Sequence, residues 1–96
     1  MNDMNKIDGK IAIVTGGTQG LGAAIARNFA NSGARGLITC GRNSENGNQV
    51  AEGITNKTGV KVHFVKTDLA KIDQVQKIVP TAKKIFGTVD ILVNAA

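Results

Sequence analysis

Ninety-six residues allow one domain with a modest core. Lys and Arg total twelve against seven Asp and Glu, for a net charge of +5. The cations are scattered, and the chain lacks the Trp and Tyr on which bases stack, so no nucleic-acid partner is expected. Mean hydropathy near zero and the lack of any run of about 20 apolar residues argue against a membrane span.

Residues 1–9 read as a polar N-terminal tail and turn closing on Asp8-Gly9. No apolar signal core is present, so secretion is not expected. Residues 10–15 form a first strand, whose Ile11-Ala12-Ile13-Val14 is apolar on both faces, as buried parallel strands are. A glycine turn leads into a helix over about 20–32, with Leu21, Ile25 and Phe29 as its apolar face and Gly33 as a left-handed cap. Residues 36–40 are a second strand. Its Cys40 cannot form an internal disulfide; it reads as a small buried hydrophobe and fits a reducing cytoplasm.

Gly41-Arg42-Asn43 follows as a loop, with Asn43 or Ser44 able to cap a helix over about 45–58. That helix shows Val50, Ala51 and Ile54 on its apolar face, contains Gly47 and Gly53, and ends at Gly59. Residues 60–66 make a third strand, whose His63 reads as a partly exposed residue, with Asp68 just past its end. A helix over about 73–86 carries Val75, Ile78, Val79, Ala82, Ile85 and Phe86 at helical spacing. An interior proline costs about 3 kcal/mol, so Pro80 predicts a kink or break near residues 76–79. Gly87 ends the helix, residues 89–93 are a fourth strand, and Asn94-Ala95-Ala96 begin the next turn.

Strands alternating with helices imply an α/β fold, a Rossmann-type doubly wound parallel sheet. Right-handed crossovers give the strand order 3-2-1-4. Residues 10–96 are then one dinucleotide-binding half-domain behind the tail. The topological switch lies between strands 1 and 4, so the glycine turn and Asn94 flank one crevice, where open α/β sheets bind ligands.

The turn itself is Thr15-Gly16-Gly17-Thr18-Gln19-Gly20-Leu21-Gly22. A helix N-terminus leaves backbone N–H groups without internal partners and carries roughly half a positive charge, which anionic phosphates satisfy. Gly16 lets the chain leave the strand sharply, Gly20 brings backbone close to a pyrophosphate, and Gly22 permits tight helix packing. No Gly-Lys-Ser/Thr ending is present, which argues against a P-loop NTPase.

At the end of strand 2, where an acid would accept from a ribose hydroxyl and select NAD, the chain has Gly41 and then Arg42. A guanidinium suits a 2′-phosphate through its planar fork, so NADP is expected over NAD. Gln19 is neutral, which leaves that preference to Arg42.

These residues resemble the short-chain dehydrogenase/reductase family. The Thr15 to Gly22 segment resembles its cofactor motif, Asp68-Leu69 the acidic step that contacts adenine, and Asp90-Ile91-Leu92-Val93-Asn94-Ala95-Ala96 its strand-4 motif. The resemblance implies NAD(P)-dependent hydride transfer between nicotinamide and an alcohol or carbonyl substrate. It also implies a homo-oligomeric parent whose subunit contacts come from its second half. Cofactor contacts are then expected from Thr15, Gly16, Thr18, Gln19, Gly20, Leu21, Gly22, Arg42, Asn43, Asp68, Leu69, Asn94, Ala95 and Ala96. The resemblance also implies that Asn94 helps to hold the central sheet and places the nicotinamide-side loop.

No metal site is expected. The family's catalytic Ser, Tyr and Lys are expected beyond residue 96, and this chain has no tyrosine, so it reads as the front part of a longer protein with none of the catalytic residues. Strand 4 would then be a bare edge, with Ile91 and Val93 short of partners and the isolated chain marginally stable. Two rival readings are a non-catalytic NADP-binding sensor module and an unrelated doubly wound protein that binds another phosphate ligand.

Overall fold

A computed structural model describes residues 6–95. The expected tail residues 1–5 and the expected cofactor residue Ala96 lie outside the described residues.

The fold is built around β1 (Ile11–Thr15), all five residues of which are buried. It pairs in parallel with β2 (Gly36–Gly41) on one side and β4 (Ile91–Asn94) on the other. β2 pairs in turn with β3 (Lys61–Lys66), so the sheet order is β3-β2-β1-β4, as the alternating pattern requires.

Successive β1 side chains point to opposite faces, and both faces are covered. Ala12 and Val14 join Leu37, Ala26, Ala30 and Ile54 beneath α1 (Gly20–Asn31) and α2 (Ser44–Thr58). Ile13 joins Ile38 and Cys40 against Ile78 and Ala82 of α4 (Ile78–Phe86). Burying a side chain such as Ile13 stabilises by about 1.5–3 kcal/mol, and truncating it to Ala costs about 2–5 kcal/mol.

Several elements differ from expectation for identifiable reasons. Of the expected apolar face of α1, Ile25 and Phe29 are half-buried against the core but Leu21 is 70% exposed, and the fully buried residues are Gly22, Ala23, Ala26 and Ala30. A Cβ on Gly22 would collide with the Gly16 carbonyl oxygen. The helix therefore starts hard against the turn, where only small residues fit, while Ile25 and Phe29 pack at the margin. On α2, Ala51 and Ile54 are buried and Val50 half-buried as the spacing implies, but Gly47 is buried too, because the Phe64 ring lies where its Cβ would be.

The helix expected over 73–86 divides into α3 (Ile72–Val75) and α4, with the turn at Gln76 and Lys77. Pro80 becomes the third residue of α4, in the first turn, where a missing N–H leaves no helical bond unmade. β3 starts at Lys61 and not at residue 60, because α2 claims both Val60 backbone groups. Thr55 Oγ1 donates to the Val60 carbonyl at 2.8 Å, and Val60 N–H donates to Thr58 Oγ1 at 3.1 Å.

β4 starts at Ile91, since Asp90 acts as its terminator. The Asp90 carboxylate accepts from Ile11 N–H at 2.9 Å, and Asp90 N–H donates to the Ile11 carbonyl at 2.9 Å. β4 is an edge, but its Ile91 and Val93 pack on the α1 side of the core, and Leu92 is the apolar residue left 61% exposed.

Candidate functional site

The C-terminal ends of the strands open on one cleft of about 540 Å³. Gly16, Thr18 and Gln19 of the glycine turn form one wall, and Gly41 and Arg42 after β2 form another. Thr67, Asp68, Leu69, Ala70 and Ala95 complete it. Seven of the expected cofactor residues thus meet in one place: Gly16, Thr18, Gln19, Arg42, Asp68, Leu69 and Ala95. Thr15, Gly20, Leu21, Gly22, Asn43 and Asn94 stand behind or beside this wall.

The turn has the geometry that phosphate binding asks for. Gly16 takes φ +74°, a left-handed conformation that turns the chain away from β1. Its N–H donates to the Cys40 carbonyl at 3.0 Å, which ties the turn to β2. Gln19, the residue before α1, is extended, and no side chain caps the helix. No acidic residue sits in the first turn of α1. The backbone donors there are therefore offered to a ligand rather than to the chain itself.

Thr15 and Asn94 act together behind the turn. Thr15 Oγ1 contacts Asn94 Oδ1 at 2.9 Å, and Ala95 N–H donates to the Thr15 carbonyl at 3.0 Å. These bonds join the ends of β1 and β4 at the switch point. Thr15 and Asn94 are thus placed to hold the sheet.

At the wall that follows β2, Arg42 is exposed and Asn43 is the N-cap of α2, accepting from Asn46 N–H at 2.9 Å. Asp68 closes its own turn: its carboxylate accepts from Ala70 N–H at 3.0 Å, and its N–H donates to Gln74 Oε1 at 2.7 Å. Leu69 is half-buried and packs on the α4 side of the core.

Sequence reasoning did not single out Thr67, Thr39 or the side of Gly41 facing the turn. Thr67 is buried, and its N–H donates to the Gly41 carbonyl at 2.7 Å, which closes the cleft floor. No motif announces it, because a threonine after a strand is common. Thr39 is fully buried, and its hydroxyl has no hydrogen-bond partner. Cys40 is buried beside Thr67, and burial pushes its thiol up to about 11 against a weaker lowering by the Thr67 hydrogen bond. It stays protonated at neutral pH and is a packing residue, not a nucleophile.

His63 is exposed on β3 and lines a different concavity, with Asn48 and Glu52. Among the described residues no group of three or more His, Cys, Asp or Glu could hold a metal ion, and no helix is long and apolar enough to cross a membrane. The cleft combines uncapped helix donors, a hydroxyl, an amide and a cation with a partly apolar floor. That set fits a phosphorylated ligand with an aromatic base.

Known proteins share this arrangement. Residues 10–96 match the family model described as short chain dehydrogenase. The chain is 41% identical over 91 residues to a 3-oxoacyl-acyl-carrier-protein reductase of Aquifex aeolicus, covering 95% of this chain and 36% of that one. The L-sorbose reductase of Gluconobacter frateurii, solved with NADPH and L-sorbose, superposes with a TM-score of 0.88 at 37% identity, over 93% of this chain and 34% of that one. An alcohol dehydrogenase of Thermococcus sibiricus, solved with 5-hydroxy-NADP, gives a TM-score of 0.81 at 30% identity, over 86% of this chain and 35% of that one. The chain spans about a third of the length of the curated relatives it matches.

Proposed function

The chain belongs to the short-chain dehydrogenase family, and on that premise we propose that residues 10–96 form the NADP-binding part of an oxidoreductase acting on an alcohol or carbonyl substrate. The carrying observation is the uncapped start of α1, held against a turn in which Gly22 leaves no space for a side chain.

The α1 N-terminus, with Thr18 and Gln19, binds the pyrophosphate. Gly16 and Gly20 let the backbone approach, and Leu21 covers the ligand from the rim. Arg42 takes the 2′-phosphate, and the Asn43 cap steadies the loop that carries it. Asp68 and Leu69 receive the adenine. Asn94 sets the position of the nicotinamide-side loop, and Thr15, Ala95 and Ala96 are the further cofactor-contacting residues at that end of the cleft.

When bound, the nicotinamide supplies or accepts a hydride at the substrate carbon. This chain's own residues bind and orient the cofactor, and the proton is handled by residues outside it. The preference for NADP rests on Arg42, since a hydrogen bond to a charged group contributes about 1.5–3 kcal/mol, or about 10- to 150-fold. Two structural neighbours solved with NADPH or a derivative of NADP favour the same reading. A homo-oligomeric parent in the cytoplasm accords with it.

Calorimetric titration of the protein with NADPH and NADH tests this. Heat from NADPH with weaker binding of NADH is expected. Heat from neither coenzyme overturns the reading.

A further inference from the structure

We infer that Thr18 is a second determinant of coenzyme preference, because it occupies the space a side chain at position 41 would need and so keeps an acid out of the end of β2. The inference rests on the reading of this cleft as an NADP site.

The geometry is specific. A Cβ built on Gly41 would lie 2.9 Å from Thr18 Cγ2, 3.1 Å from Thr18 Oγ1 and 3.6 Å from Thr18 Cβ. Contacts between real side chains are almost never as short as the first of these. Position 41 cannot retreat, because the Gly41 carbonyl accepts from Thr67 N–H at 2.7 Å and the preceding carbonyl, of Cys40, accepts from Gly16 N–H at 3.0 Å.

Thr18 cannot simply rotate away either. It is only 9% exposed, and both branches of its Cβ face Gly41. Of the three staggered positions on Cβ, two carry heavy atoms, so any rotation returns at least one branch to the space beside residue 41. Serine, with one branch, has a rotamer that clears it.

The consequence concerns charge. A carboxylate at the end of β2 is the group that would accept from a ribose 2′-hydroxyl and repel a 2′-phosphate. Arg42 attracts the phosphate, while Thr18 and Gly41 together exclude the competing acid. Preference is then held by an attractive element and a steric one.

Two measurements on the intact protein test this. The first needs no coenzyme: melting temperatures of wild type, Gly41→Ala, Thr18→Ser and Gly41→Ala/Thr18→Ser. Overpacking of this kind lowers the melting temperature of a domain this size by roughly 5–10 °C. Thr18→Ser should restore at least half of that loss, and strictly additive effects overturn the steric interlock.

The second is the ratio of NADPH to NADH affinity. Gly41→Asp alone should weaken both coenzymes, whereas Gly41→Asp/Thr18→Ser should move the ratio toward NADH by roughly tenfold or more relative to wild type. A full switch to NADH by Gly41→Asp alone, at undiminished affinity, overturns the inference. Should wild type bind neither coenzyme, the NADP reading and this role of Thr18 both fall, while the melting series still reports whether the two residues interlock.

Discussion

The N-termini of α1 and α2 follow the two central strands and face the same edge of the sheet, yet they are finished in opposite ways. α2 satisfies itself: Asn43 accepts from Asn46 N–H, and Glu45 stands in the first turn against the helix dipole. α1 has neither device, since Gln19 offers no side-chain cap and no acid follows it. A capped helix start typically gains about 1 kcal/mol, so the chain forgoes that stabilisation at α1. Donors left open beside the glycine turn can be met by a ligand, as proposed for the coenzyme, whereas those of α2 are met by the chain itself.

That contrast can be broken by changing glycines on the two helices. Gly22→Ala should be the most damaging, because the new Cβ meets backbone of the turn and not a movable side chain. A loss of about 3 kcal/mol in stability and about 100-fold or more in NADPH affinity is expected, read by urea denaturation and calorimetry. Unchanged coenzyme affinity in that variant would mean that the cradle is not the binding site.

Arg42→Ala comes next. NADPH affinity should fall about 10- to 150-fold, with NADH little affected. Equal losses for the two coenzymes would remove Arg42 as the source of preference.

Asn43→Ala sharpens the comparison at the capped end. The fold should lose about 1 kcal/mol through the α2 cap, and NADPH should weaken less than in Arg42→Ala because the loop is loosened rather than stripped of its charge. Thermal unfolding and fluorescence titration separate the two effects.

The smallest change is expected at Gly53, which is exposed within α2 and has open space around its Cα. Gly53→Ala should stabilise the protein by about 0.5–1 kcal/mol with coenzyme affinity unaltered. Destabilisation there would contradict the picture of α2 as plain scaffold.

Much of this was legible in the residues. The apolar run of β1, the glycine spacing after it and the left-handed caps at Gly33, Gly59 and Gly87 are local signals, and all three glycines take positive φ. The break before Pro80 was legible for the same reason, since a missing N–H acts within one turn of chain. The packing face of α1 was legible only in part, through Ile25 and Phe29. Leu21 looks like a core residue by periodicity, but the helix axis is set by the contact between Gly22 and the turn, which brings alanines inward. Thr67 and the fit of Thr18 to Gly41 were equally invisible, because they join segments that only meet at the strand ends.

Taken alone, the order of residues determined the succession of strands and helices, the sheet order and the place of the glycine turn at the start of α1, because each follows from hydrophobic period, turn chemistry and the handedness of crossovers. Only the tertiary structure decided which side of each helix is buried, that Asp90 and Asn94 secure the two ends of β4 to β1, and that Thr18 fills the space beside Gly41. Those outcomes depend on distances between atoms far apart in the chain, set by close packing that no local pattern encodes.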